Sequence, residues 1–170
     1  MKKLNFLKTL VDIFWINFSF ASVIFIILLL VLVFTNSDLS DIGFLFNIDG
    51  ITFKKIGIYE KILILILTFT SVVLLFTFYQ FKKLIKNFTK TLVFTDENIN
   101  ILNKIGIGLL FCAFFYSVPV YIYKIYNTQI NINLGFSSFI LYLVSGLFFM
   151  VLSEIFKISK VQKQENDLTV

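Results

Sequence analysis

The sequence predicts an all-α membrane protein: a four-transmembrane-helix bundle with cytoplasmic helical extensions. Three observations lead there. Of 170 residues, 58% are apolar and only 15% are charged, and mean hydropathy is +0.92. A soluble chain is about 45–50% apolar and about 25% charged, so a soluble fold of this length has no way to hide the excess. The apolar residues also fall into four long runs, the signature of membrane spans. Finally, lysines cluster beside alternate ends of those runs. Residues 1–170 read as a single four-span domain, because no run is long enough to fold alone.

The first span covers about residues 13–34, and its 22 residues reach about 33 Å at 1.5 Å per residue. That crosses the ~30 Å hydrocarbon layer with little tilt. A signal peptide has a shorter apolar core and a small-residue cleavage site, so a retained span is expected. The other spans cover about 62–81, 105–125 and 134–153, and none contains an acidic residue. Lys124, at the end of the third, can snorkel to the interface. Four spans place both termini on one side. Eleven lysines lie on the side of the termini and of the 82–104 connection. Four (Lys54, Lys55, Lys61 and Lys124) lie on the other. The positive-inside rule makes the richer face cytoplasmic. Trp15, Tyr121, Tyr123 and Tyr126 stand near span ends, where interfacial aromatics belong.

The longest outer connection, residues 35–61, contains Asp49-Gly50 between two short β-prone stretches, a hairpin signal. A small extracytoplasmic β-hairpin and an irregular loop on the membrane both remain open for Phe44–Phe53. The second outer connection, 127–133, reads as a tight polar turn. On the inner side, Phe78, Phe81, Leu84, Ile85 and Phe88 recur at helical spacing with lysines between them, so the second helix should run past the bilayer. Thr95 can cap the next helix, with Asp96 and Glu97 in its first turn. Phe94 and Ile99 stand at staple positions. A helical hairpin should therefore join spans two and three inside the cell. Ile155, Ile158 and Val161 form an apolar edge, so the fourth helix should also run on.

Composition excludes several chemistries. There is no His, which removes the commonest general base and metal ligand. The single Cys112 allows no internal disulfide and reads as a packing residue. No Gly-rich phosphate loop occurs. No ionisable group lies in the middle of a span, as a transporter or proton-coupled pump would require. Asn17, Gln80 and the Ser and Thr residues should hydrogen-bond between helices or to their own backbone. Gly106, Gly108, Ser145 and Gly146 should mark close helix contacts, and Pro119 should kink the third span. No enzyme activity, cofactor or metal is expected. All 15 basic residues are Lys, so direct nucleic-acid recognition through Arg is not expected. Lys82, Lys83, Lys86 and Lys90 suit anionic lipid headgroups or docking of an acidic partner.

Two segments resemble a known family. Phe94-Thr-Asp-Glu-Asn98, followed by Leu102 and Ile105-Gly106, resembles the Phe-x-x-x-Asn stretch that leads into the third span of a bacterial four-span family, domain of unknown function 2975 (DUF2975). Phe156 and Glu165-Asn166-Asp167-Leu168-Thr169-Val170 resemble that family's Phe after the last span, acidic-Asn group and short β-prone terminus. The absence of Arg departs from many members and removes any Arg-dependent contact. The resemblance implies a bacterial plasma-membrane protein that holds or controls a small cytoplasmic helix-turn-helix transcription factor. Phe94, Asp96, Asn98, Phe156, Glu165, Asn166 and Asp167 then join the four lysines as candidate contacts. Immunity against a membrane-active peptide is the alternative, and a small transporter or channel subunit a third reading. A homo-oligomer stays open.

Overall fold

The computed structural model describes residues 2–34, 46–48, 51–53, 57–127 and 137–168. Four long helices dominate: α1 (Lys2–Phe34), α2 (Ile58–Thr89), α3 (Asp96–Tyr126) and α4 (Ser138–Leu168). Among the described residues, these four are the helices long and apolar enough to cross a membrane. Between α1 and α2, β1 (Phe46–Ile48) pairs antiparallel with β2 (Ile51–Phe53) in the register Phe46 to Phe53 and Ile48 to Ile51. That register leaves a two-residue connection, the length that Asp49-Gly50 suits. The connection itself, the rest of 35–45 and 54–56, and the 128–136 link between α3 and α4 lie outside the described residues.

At 31–33 residues each, the helices are about 46–50 Å long, some 16–20 Å more than the hydrocarbon layer. Measured from the span bounds read in the sequence, most of the surplus falls at one end of the bundle: residues 2–12 of α1, 82–89 of α2, 96–104 of α3 and 154–168 of α4, against 58–61 of α2 and Tyr126 of α3 at the other. The sequence led us to expect this for the last three helices. The structure adds α1, which is already helical at Lys2. At the opposite end, α4 is described from Ser138, and the expected span start at 134 lies outside the described residues. Ser137 caps it by accepting a hydrogen bond from the Phe139 N–H at 3.2 Å.

Packing runs in sequence order: α1 on α2, α2 on α3, and α3 on α4. Small residues set the two inner crossings. A Cβ on Gly106 of α3 would lie 2.9 Å from the Gly146 carbonyl oxygen of α4, and one on Gly146 would lie 3.0 Å from that of Gly106. The two backbones therefore touch, as close-packed membrane helices do. Gly108 makes room for Thr77 of α2 in the same way. Leu84, Ile101, Leu102 and Ile105 form a core at the surplus end of α2 and α3, covered by Phe81, Phe149, Leu152 and Phe156. Leu63, Leu67 and Val120 form a second core toward the other end. There the Tyr123 hydroxyl donates to Glu60 at 2.8 Å, while the Glu60 carboxylate also accepts the Gly57 N–H at 2.9 Å and caps α2.

Most of the hydrogen-bonded hydroxyl and amide groups within the spans turn back on their own helices, whereas buried Gln80 makes no side-chain hydrogen bond among the described residues. Asn17 donates to the Ile13 carbonyl, and Thr68, Thr70, Ser71 and Thr77 donate to the carbonyls of Ile64, Ile66, Leu67 and Val73. Each group is thereby satisfied without water. Helix α3 continues through Pro119.

The two glycine crossings should respond differently to substitution. G108A pushes against the Thr77 side chain, so it should destabilise the bundle by about 1–3 kcal/mol, and adding T77A should restore most of that. G106A meets the Gly146 backbone, and trimming Met150 to Ala should not restore it. Unfolding temperatures in detergent of the two single and two double variants would check this.

Candidate functional site

The surplus end is built around a tight turn between α2 and α3. Helix α2 stops at Thr89, and the Lys90 N–H closes back on the Asn87 and Phe88 carbonyls. Thr91 follows at φ 62°, a left-handed conformation that costs a β-branched L-residue about 1–2 kcal/mol. Thr95 then restarts the chain as a helix: its hydroxyl accepts the Asn98 N–H at 3.3 Å.

Asn98 holds this strained turn. It is 0% exposed. Its side-chain amide donates to the carbonyls of Leu92 and Val93, and its oxygen accepts from the Asn87 amide at 2.8 Å. Two otherwise orphaned turn carbonyls and the end of α2 are thus tied to one side chain, as buried polar groups require. Asn98 therefore shapes the turn from within and presents nothing to the outside. Asn87 also donates to Glu97 at 3.3 Å. Sequence reasoning did not single out Asn87. It lies one turn beyond Leu84 on the buried stripe of α2, and a polar residue on an apolar stripe was the available signal.

Aromatic rings carry the turn onto α4. Phe156 meets Phe88 at 5.9 Å and Phe94 at 5.2 Å, the second edge-on. The Phe94 ring thus turns toward α4. Lys160 of α4 pairs with Asp96, which lies in the first turn of α3 where a carboxylate also suits the helix dipole. The Ser153 hydroxyl donates to the Ile99 carbonyl at 2.8 Å. Phe94, Asp96, Asn98 and Phe156 accordingly form one unit, although Phe94 and Phe156 are 62 positions apart in the chain.

The four lysines divide into two kinds. Lys82 pairs with Asp12 of α1 at 3.2 Å and stands 5.8 Å above the Trp15 ring, which stacks on Phe78. Lys83 pairs with Glu97 at 2.7 Å. The hydrogen bond and charge of each hold the Lys83 pKa above its ordinary value and the Glu97 pKa below its own. Both are surface groups, so solvent screens the pair. Lys86 and Lys90 are exposed, and Lys90 adds a weaker electrostatic pull on Glu97. Glu165 and Asn166 lie exposed on the last turns of α4. Residues 165–168 continue that helix rather than leaving it as a β-prone or frayed end, because the helical ladder of α4 propagates through them. The side chain of Asp167, together with residues 169 and 170, falls outside the described set.

Four apolar helices whose polar surplus gathers at one end define a multi-pass membrane protein. A family model described as "Protein of unknown function (DUF2975)" matches residues 52–170, and the chain belongs to that family. The match takes in both segments that carried the sequence resemblance, the 94–98 turn and the tail. No curated protein and no solved structure matches the chain.

N98A leaves the Leu92 and Val93 carbonyls unpartnered and leaves the Asn87 amide only its longer bond to Glu97. It should cost roughly 2–4 kcal/mol and speed tryptic cleavage after Lys90 in detergent-solubilised protein. The Lys83–Glu97 pair sets a separate expectation. Because the folded Glu97 pKa is lowered, its contribution is present above the ordinary value of 4.5 and is lost as pH falls through the folded value. The raised Lys83 pKa keeps the pair intact until pH climbs past 10.5. Thermal unfolding followed from pH 7 to pH 3 should show a steeper acid loss in the parent than in E97Q.

Proposed function

We propose that this chain is a non-catalytic regulatory protein of the bacterial plasma membrane, with both termini and the α2–α3 hairpin in the cytoplasm. In this reading, the hairpin and the end of α4 bind a small helix-turn-helix transcription factor, and the membrane helices or the outer hairpin modulate that binding. The observation that carries it is the one-sided surplus of helix. Crossing a membrane needs about 20 residues per helix, and here each helix has 31 or more. The excess is capped, packed through Phe88, Phe94 and Phe156, and tied by Asp96 to Lys160. Charged residues line its outside, with Lys86, Lys90 and Lys163 exposed.

The eleven-to-four distribution of lysines supports the orientation, and the exposed lysines also suit anionic headgroups. The family resemblance supports the class of partner. Absence of His and of any acidic residue within the spans supports a role without catalysis or ion transport.

Full-length protein purified with the helix-turn-helix product of an adjacent gene should retain it. K86E/K90E should weaken that retention by about tenfold, and removing residues 157–170 should change transcription of the regulator's targets. A reporter fused after Val170 should read as cytoplasmic. Loss of resistance to a membrane-active peptide on deletion, with no transcriptional change, would favour the immunity reading instead.

A further inference from the structure

Between α3 and α4, on the surplus end, lies a polar cleft of about 310 Å³. Asp96, Asn100 and Asn103 line it from α3, at i, i+4 and i+7, and Ser153, Glu154 and Lys157 line it from α4. Its deep end, Asn103 and Ser153, coincides with the ends of the third and fourth spans as the sequence bounds them, at 105 and 153. From Asn103 to Asp96 the cleft runs about 10 Å, and the headgroup layer is roughly 5–8 Å thick on each side. A lipid headgroup therefore lies level with this cleft on whichever side of the membrane it faces.

The lining carries both signs of charge and two unengaged amides. Among the described residues, neither the Asn100 nor the Asn103 side chain has a hydrogen-bond partner. Glu154 meets Lys157 only at 3.9 Å, and both are about two-thirds exposed. Asp96 is held by Lys160, and Lys104 stands exposed beside Asn103. An ammonium group brings N–H donors that a carboxylate accepts in charge-assisted hydrogen bonds. A phosphate finds N–H donors on Lys157 and on the two amides. A choline headgroup has no N–H donor and is normally bound by aromatic faces. No aromatic residue lines this cleft. A purely anionic headgroup brings no cation for the Glu154 carboxylate, whose nearest partner is Lys157 at 3.9 Å.

We infer that the α3–α4 cleft is a binding site for a zwitterionic ethanolamine phospholipid headgroup, with the ammonium on Glu154 and the phosphate on Lys157 and the Asn100 and Asn103 amides. The site is independent of any cytoplasmic partner. It differs from the exposed Lys86 and Lys90, which attract anionic lipid without a shaped pocket.

The test is native mass spectrometry of the full-length, delipidated protein in detergent, titrated with phosphatidylethanolamine, phosphatidylcholine or phosphatidylglycerol of matched acyl chains. Phosphatidylethanolamine should be retained about tenfold better than either of the others. E154Q should remove the preference over phosphatidylcholine, and N100A/N103A should weaken retention of phosphatidylethanolamine severalfold. These positions are exposed, so the unfolding temperatures of the variants should match the parent and exclude misfolding as the cause. Equal retention of phosphatidylcholine, better retention of phosphatidylglycerol, or an unchanged preference in E154Q would each overturn the assignment.

Discussion

Asn98 fixes the turn between α2 and α3. A helical hairpin that leaves the bilayer must reverse direction and still satisfy the backbone groups it exposes at two helix ends. Here one buried amide takes two turn carbonyls and joins Asn87 across to the preceding helix. The left-handed Thr91 persists because these bonds over-determine the turn. With the turn fixed, Phe94 is placed for Phe156, Asp96 for Lys160, and Glu97 for Lys83. Asn98 thereby ties α2 to the start of α3, and Ser153, Phe156 and Lys160 bring α4 onto that joined end.

The bundle is consequently of two materials. Within the spans, helices meet through glycine and aromatic contacts, and hydroxyl groups bond back to their own chain. That is the economy of a solvent that offers no hydrogen bonds. Beyond the spans, buried amides, ion pairs and a packed phenylalanine cluster take over, as in a water-soluble helical bundle. The polar α3–α4 cleft opens near the boundary between the two regimes.

Much of this was legible in the sequence because it is local. Spans follow from runs of apolar residues, the Thr95 cap from its neighbours, and the extension of α2 from Phe78, Phe81, Leu84, Ile85 and Phe88 recurring at helical spacing. Gly106, Gly108 and Gly146 were readable as contacts, though not which helix each would meet. What stayed hidden depends on register between helices. Asn87 meets Asn98, Phe156 meets Phe94, and Asp12 meets Lys82 only because two helices slide to one particular offset. Spacing along one chain does not encode that offset. The helical start of α1 at Lys2 was missed because Lys2, Lys3 and Lys8 read as topology signals rather than as part of an extension.

The order of packing bears on how the protein is made. Only Val11 and Leu29 of α1 are buried among the described residues, and its neighbour is α2. Synthesis delivers α1 before α2, the helix it packs on. The α1 sequence suits that order, because Asn17 and Ser19 already bond to their own backbone and need no second helix. Docking comes later, when α2 brings Phe78 against Trp15 and Lys82 against Asp12. The register of α1 is thus set by a chain segment that is translated after it.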